Sequence, residues 1–159
     1  MSVVIEDGTV VFAANSYVSE TDLVSYAAAR GKTLVTDSTQ LLIEAMDYIE
    51  GLFYVGTKFR RDQPLQWPRV NVYIDDWYQN VFTIPKELKK AQMEVAIAID
   101  EGNSPLSLIE RDIQKESIAG VISVEYTLGT SSKPIVRTVN NALKKLLVSG
   151  LGGFKVDRV

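Results

Sequence analysis

The chain has 159 residues, 46 % of them apolar and 23 % charged, with a net charge of -3. That is enough for one domain, 1–159, burying about two thirds of its unfolded surface, and the composition is not that of a disordered segment. Cysteine and histidine are both absent, which excludes disulfides, cysteine-containing zinc sites, haem ligation by histidine, Ser-His-Asp triads and Cys-His dyads.

Residues 1–14 carry Asp7-Gly8 between two β-branched runs, a pattern that predicts an N-terminal β-hairpin. Ser19 with Asp22 three residues on predicts the start of a first helix over about 20–30, and Gly31 its stop. Asp37 or Ser38 can cap a second helix, whose stripe of Leu42, Ala45, Ile49 and Leu52 runs to about Gly51-Leu52. Residues 54–82 read as a long irregular loop in which aromatic residues alternate with Lys58, Arg60, Arg61 and Arg69, and Pro64 and Pro68 forbid a regular helix.

Thr83 as cap, Pro85 in the first turn and Gly102 as stop bound a third helix. Its polar first half carries Lys86, Glu87, Lys89 and Lys90, and its apolar second half predicts the centre of the core. Residues 109–116 and 121–128 alternate with a period of two and predict a β arm over 109–127. A fourth helix is expected from about Ile135 to Ser149, with Lys144 and Lys145 leaving its outer face, followed by a glycine-flanked tail, 150–159. The expected fold is mainly α: a four-helix body with an N-terminal β-hairpin, a long central loop and a β-hairpin arm between helices 3 and 4.

The charge is unevenly placed. Residues 1–50 hold eight acids against two bases, and residues 133–159 hold six bases against one acid. Such a dipolar chain suits packing against copies of itself or presenting its basic end to an acidic partner; two solvated faces give the same pattern. Met1 is followed by Ser2 to Ile5 and then Glu6-Asp7, so no signal peptide is expected. No apolar run approaches the ~20 residues of a membrane span. A soluble protein made in a cytoplasm is the expectation.

No phosphate-binding glycine loop occurs, because Gly150 to Gly153 follows a helix rather than a strand. The paired Asp75-Asp76 and the helix-face set Glu44, Asp47 and Glu50 are the carboxylates available for acid–base work, and the latter reads more simply as a solvated face. No catalytic residue, cofactor or metal is expected. The aromatic-basic segment 54–82 is the candidate surface by composition. Its mixture suits stacking on single-stranded bases, a protein–protein hot spot, or a lid on the helical core.

Several stretches resemble a family. They are Glu6-Asp7-Gly8-Thr9, Asn15-Ser16-Tyr17-Val18-Ser19, Tyr26-Ala27-Ala28-Ala29-Arg30-Gly31 and Ala45-Met46-Asp47-Tyr48-Ile49, then Gly56, Gln63-Pro64-Leu65-Gln66-Trp67-Pro68-Arg69, Ile84-Pro85 with Ala91 and Glu94, Glu116 to Gly120, and Val124-Glu125-Tyr126. Together they resemble small tailed-bacteriophage virion proteins, a group often labelled DnaT-like single-stranded-DNA-binding protein. In size, order of elements and β arm the chain is also similar to head–tail connector (adaptor, or head-completion) proteins.

The connector resemblance implies a non-enzymatic structural subunit of a homo-oligomeric ring, twelve-fold in such families. The ring would sit in the virion at the portal–tail junction, contacting portal and tail or nozzle proteins, with genomic double-stranded DNA passing through. For such a role the long loop with its aromatic and arginine content, the β arm and the basic tail offer Arg60, Arg61, Trp67, Arg69, Tyr73, Trp77, Tyr78, Arg111, Lys115, Tyr126, Phe154, Lys155 and Arg158 as expected subunit or portal contacts, and Lys144 and Lys145 as expected DNA-facing positions. The other label implies a single-stranded-DNA-binding replication accessory protein.

Overall fold

The computed structural model describes residues 2–103, 113–117, 123–126 and 134–148. Ser19 and Asp22 close a reciprocal capping box at the start of α1, Glu20–Ala28. The Asp37 side chain accepts from the Thr39 and Gln40 N–H groups and opens α2, Ser38–Glu50. Two two-stranded antiparallel hairpins follow: β1, Thr57–Lys58, with β2, Arg69–Val70, and β3, Tyr73–Ile74, with β4, Trp77–Tyr78. Then come α3, Lys86–Asp100, the antiparallel pair β5, Ile113–Ser117, and β6, Ser123–Tyr126, and finally α4, Pro134–Leu143.

Helix α3 is central. It packs against α2 and α4, while α1 lies on α2 and α3. The core is built from the apolar stripes that periodicity picks out: Leu41, Leu42, Ala45 and Ile49 of α2, Leu88, Ala91, Val95 and Ala96 of α3, and Leu23 of α1, closed by Val139, Leu143 and Leu146.

The expected mainly α, four-helix fold needs correcting. The described chain is a mixture of four helices and small antiparallel hairpins, and two of those hairpins lie inside 54–82, which the sequence reads as loop. Their strands are two residues long, too short for period-two alternation to appear.

The N-terminal hairpin does not form either; Ile5 makes a single parallel bridge with Ser16. The reason is Glu6. Its buried carboxylate accepts the N–H groups of Gly8 (2.8 Å), Val10 (3.0 Å) and Val11 (2.8 Å), gathering the segment into a loop around one side chain. Gly8 sits at φ +110° with the Phe82 carbonyl where a Cβ would stand, so only glycine fits.

Two helix ends also differ. Thr83 does not cap α3; its N–H belongs to a turn with the Asn80 carbonyl, and Pro85 is the cap residue without a side-chain bond. α4 ends at Leu143 rather than Ser149, because the backbone beyond it pairs with 53–55: the Val55 N–H donates to Leu146 (2.9 Å) and the Val148 N–H to Phe53 (3.0 Å). The expected tail, 150–159, lies outside the described residues.

Candidate nucleic-acid interface

The hairpin β3–β4 turns through Asp75 and Asp76, at φ 52° and 67°. Positive φ at both central residues is the requirement of a two-residue hairpin loop, and aspartate tolerates it better than most side chains. Tyr73 and Tyr78 stand opposite one another with rings 5.5 Å apart in edge-to-face contact. Trp77 is 80 % exposed, Tyr73 61 % and Tyr78 55 %. Three large aromatic side chains thus share a small hairpin and contribute little to the core.

Beside it runs a groove of about 500 Å³ between the start of α3 and the end of α4. Lys86 and Lys90, one helical turn apart on α3, face Lys144 and Lys145, with Tyr26, Glu87, Asn141 and Ala142 completing the lining. All four lysines are exposed. The amino-terminal end of α3 adds its own positive potential. An ion pair between Lys145 and Asp75 joins the hairpin tip to the groove, so the turn between the aromatic-bearing strands touches the lysine-lined rim.

The other sequence-predicted site residues fall elsewhere. Trp67 is fully buried, edge-on to Tyr54 with centroids 6.4 Å apart. Arg69 is buried too, and its guanidinium donates to the carbonyls of Val55 (2.8 Å), Tyr54 (3.2 Å) and Gly56 (2.7 Å) and to the Gln66 side chain (2.9 Å). Gln63, from the same motif, donates to the Leu65 and Pro68 carbonyls. Arg69 and Gln63 tie segment 54–70 to itself, and Trp67 packs it into the hydrophobic core, so Trp67 and Arg69 are corrected from contact residues to interior ones. Arg60 and Arg61 are exposed, with the Arg60 guanidinium 5.9 Å from the Phe59 ring centroid. Lys115 and Tyr126 lie on β5 and β6; Arg111, Phe154, Lys155 and Arg158 lie outside the described residues.

Lys86 and Lys90 are what sequence reasoning missed. Their spacing of four on a polar helix face is visible in the sequence. Which helix lies across from them is not.

Glu50, expected on a solvated face, turns inward. Its carboxylate accepts the Tyr17 hydroxyl (2.8 Å) and the Gln66 N–H (2.7 Å). Burial raises its pKa above the usual 4.5, against the opposing pull of those two bonds and of Lys58 and Arg69. The unfolded chain therefore ionises first as pH rises. The contribution of Glu50 favours the fold fully below about pH 4.5 and is lost as pH climbs through its raised value. Asp22 acts in the opposite sense, below 3.8, because bonds from Ser19 lower it. Urea midpoints between pH 4.5 and 7 should therefore slope less in Glu50→Gln than in the wild type; equal slopes would contradict the assignment.

Among the described residues no helix is long and apolar enough to cross a membrane. A family model described as "Putative DnaT-like ssDNA binding protein" matches residues 1–159. No curated protein and no solved structure matches the chain significantly.

Proposed function

The chain belongs to the DnaT-like ssDNA binding protein family, and from that premise we propose that it binds single-stranded DNA, without catalysis, where the β3–β4 hairpin borders the lysine groove. The observation that carries this reading is the Lys145–Asp75 pair, which ties the tip of the hairpin bearing Tyr73, Trp77 and Tyr78 to a groove lined by four lysines. Aromatic faces stack on unpaired bases of any sequence, and ammonium groups track the phosphates. With a net charge of -3, the attraction is local to the groove and falls steeply with salt.

Anisotropy of a labelled oligonucleotide tests it. Binding is expected at low salt and should weaken as salt rises. Trp77→Ala should weaken it about 5- to 150-fold, the range for losing one base–aromatic stack. Replacing Lys86 and Lys90 by alanine should reduce the salt slope by about 0.7 for each phosphate that the lysines no longer neutralise. Absence of binding at low salt, or binding indifferent to these changes, would refute the reading.

A second reading is a head–tail adaptor ring in the virion. The similarity in size, order of elements and β arm favours it, as does the acidic first third: Glu20 on α1, Asp37 at the cap of α2 and Asp47 on α2 are exposed, and none of them lines the groove. In this reading copies of the chain, a portal protein and tail or nozzle proteins are the partners. Lys144 and Lys145 would then meet phosphates of passing double-stranded DNA. The two readings part on strand preference: stacking needs unpaired bases, whereas a lumen contact does not. Imaging of virions adds the direct observation, because copies at the portal–tail junction support the adaptor and their absence there refutes it.

A further inference from the structure

The contact between Asp75 and Lys145 has a chemical meaning that rests on the single-stranded-DNA reading and goes further. Lys145 lines the groove together with Lys86, Lys90 and Lys144, against the single acid Glu87. The Asp75 carboxylate, carried on the hairpin tip, sits on the Lys145 ammonium at the rim of that groove. A carboxylate oxygen and a phosphodiester oxygen present the same charge sign and the same acceptor to an ammonium group. Both partners stay largely in water, with side chains 52 % and 63 % exposed. Such a pair contributes little to stability and exchanges readily for another anion.

We infer that Asp75 occupies a phosphate subsite of the groove and is an internal competitor for it. A phosphodiester chain entering the groove displaces the carboxylate from Lys145 and takes its place, while the exposed aromatic side chains of the hairpin stay open to the bases. A short or weakly charged anion faces the competitor without the compensating contacts to Lys86, Lys90 and Lys144. The groove therefore selects for chain length as well as charge.

Asp75→Asn and Lys145→Ala, singly and together, test this with a labelled single-stranded oligonucleotide across a salt series. Both side chains are exposed, so the variants should fold, which circular dichroism checks. Without the carboxylate, Lys145 meets the phosphate with no internal anion to displace. Asp75→Asn should therefore bind several-fold tighter at low salt. In the Lys145→Ala background the same change should have no effect, since the competition has lost its target. A DNA-free readout accompanies it: an amine-reactive reagent should modify Lys145 several-fold faster in Asp75→Asn.

If wild type and Asp75→Asn bind with equal affinity, the competitor is refuted while DNA binding stands. If the gain persists without Lys145, Asp75 acts by general repulsion and the subsite is refuted. If no variant binds, both readings fall together.

Discussion

Trp67→Ala is expected to cost about 3–5 kcal/mol of folding free energy, the range for removing a fully buried large aromatic side chain. Trp67 is completely enclosed, packs edge-on against Tyr54, and its backbone N–H donates to the Tyr17 hydroxyl. A loss of that size is a large share of the ~5–15 kcal/mol that holds a typical domain together. Urea unfolding followed by far-ultraviolet circular dichroism measures it. Trp67→Phe should lose much less, because the indole N–H has no hydrogen-bond partner among the described residues and the substitution therefore breaks no such bond. An alanine variant within about 1 kcal/mol of wild type would show that Tyr54 and its neighbours collapse into the space.

Arg69→Ala is expected to cost about 2–4 kcal/mol, for a different reason. Its guanidinium satisfies the carbonyls of Tyr54, Val55 and Gly56, three consecutive acceptors, together with the Gln66 side chain. Each buried acceptor left without a donor costs about 1–3 kcal/mol, reduced where water can enter. Arg69→Lys should recover only the smaller part, since a point ammonium cannot span carbonyls that a planar fork reaches together. The two alanine variants should combine non-additively, because both side chains brace the same short segment. The same unfolding series, with the double variant included, checks both statements; full additivity would mean that the two act on separate parts of the fold.

These two residues also show where reading the sequence ends. Ser19 with Asp22 and Asp37 ahead of α2 are legible because each cap bonds to a backbone group within three residues. The apolar stripes of α2 and α3 are legible because burial follows the helical period. Trp67 and Arg69 sit in a proline-broken segment with no period to assign them a side, and composition alone left them open between a base-stacking surface, a protein interface and a lid on the core. Their partners lie 50 residues away, in the case of Trp67 and Tyr17, and 13 to 15 away for the Arg69 carbonyls.

Asp7-Gly8 failed in the reverse direction. The local turn signal is strong, but the neighbouring Glu6 carboxylate offers three backbone N–H groups a better acceptor than a hairpin ladder would. At the candidate interface, Tyr73, Trp77 and Tyr78 were visible as an aromatic cluster. Half of the lysine groove was not, since Lys86 and Lys90 gain their meaning only when α3 and α4 lie side by side. The Gln63 to Arg69 motif, which carries much of the resemblance, belongs to the scaffold rather than to the surface, so recognising it identifies the fold more directly than the activity.

Gln92 has a consequence for the order in which the molecule is made. Buried within α3, it accepts the Tyr17 N–H (3.0 Å) and donates to the Ser16 hydroxyl (2.8 Å) and the Leu42 carbonyl (3.2 Å). The first loop of the chain is thus fastened by a side chain 75 or 76 residues downstream. At about 5–20 residues per second of synthesis, residues 16 and 17 leave the ribosome on the order of several seconds before their partner exists. During that interval α1 and α2 can form as local structures, while the Ser16 hydroxyl and the Tyr17 N–H still lack the amide that fastens them. The protein is begun at its amino terminus but locked there among the last, so truncations before α3 should yield helices without a finished domain.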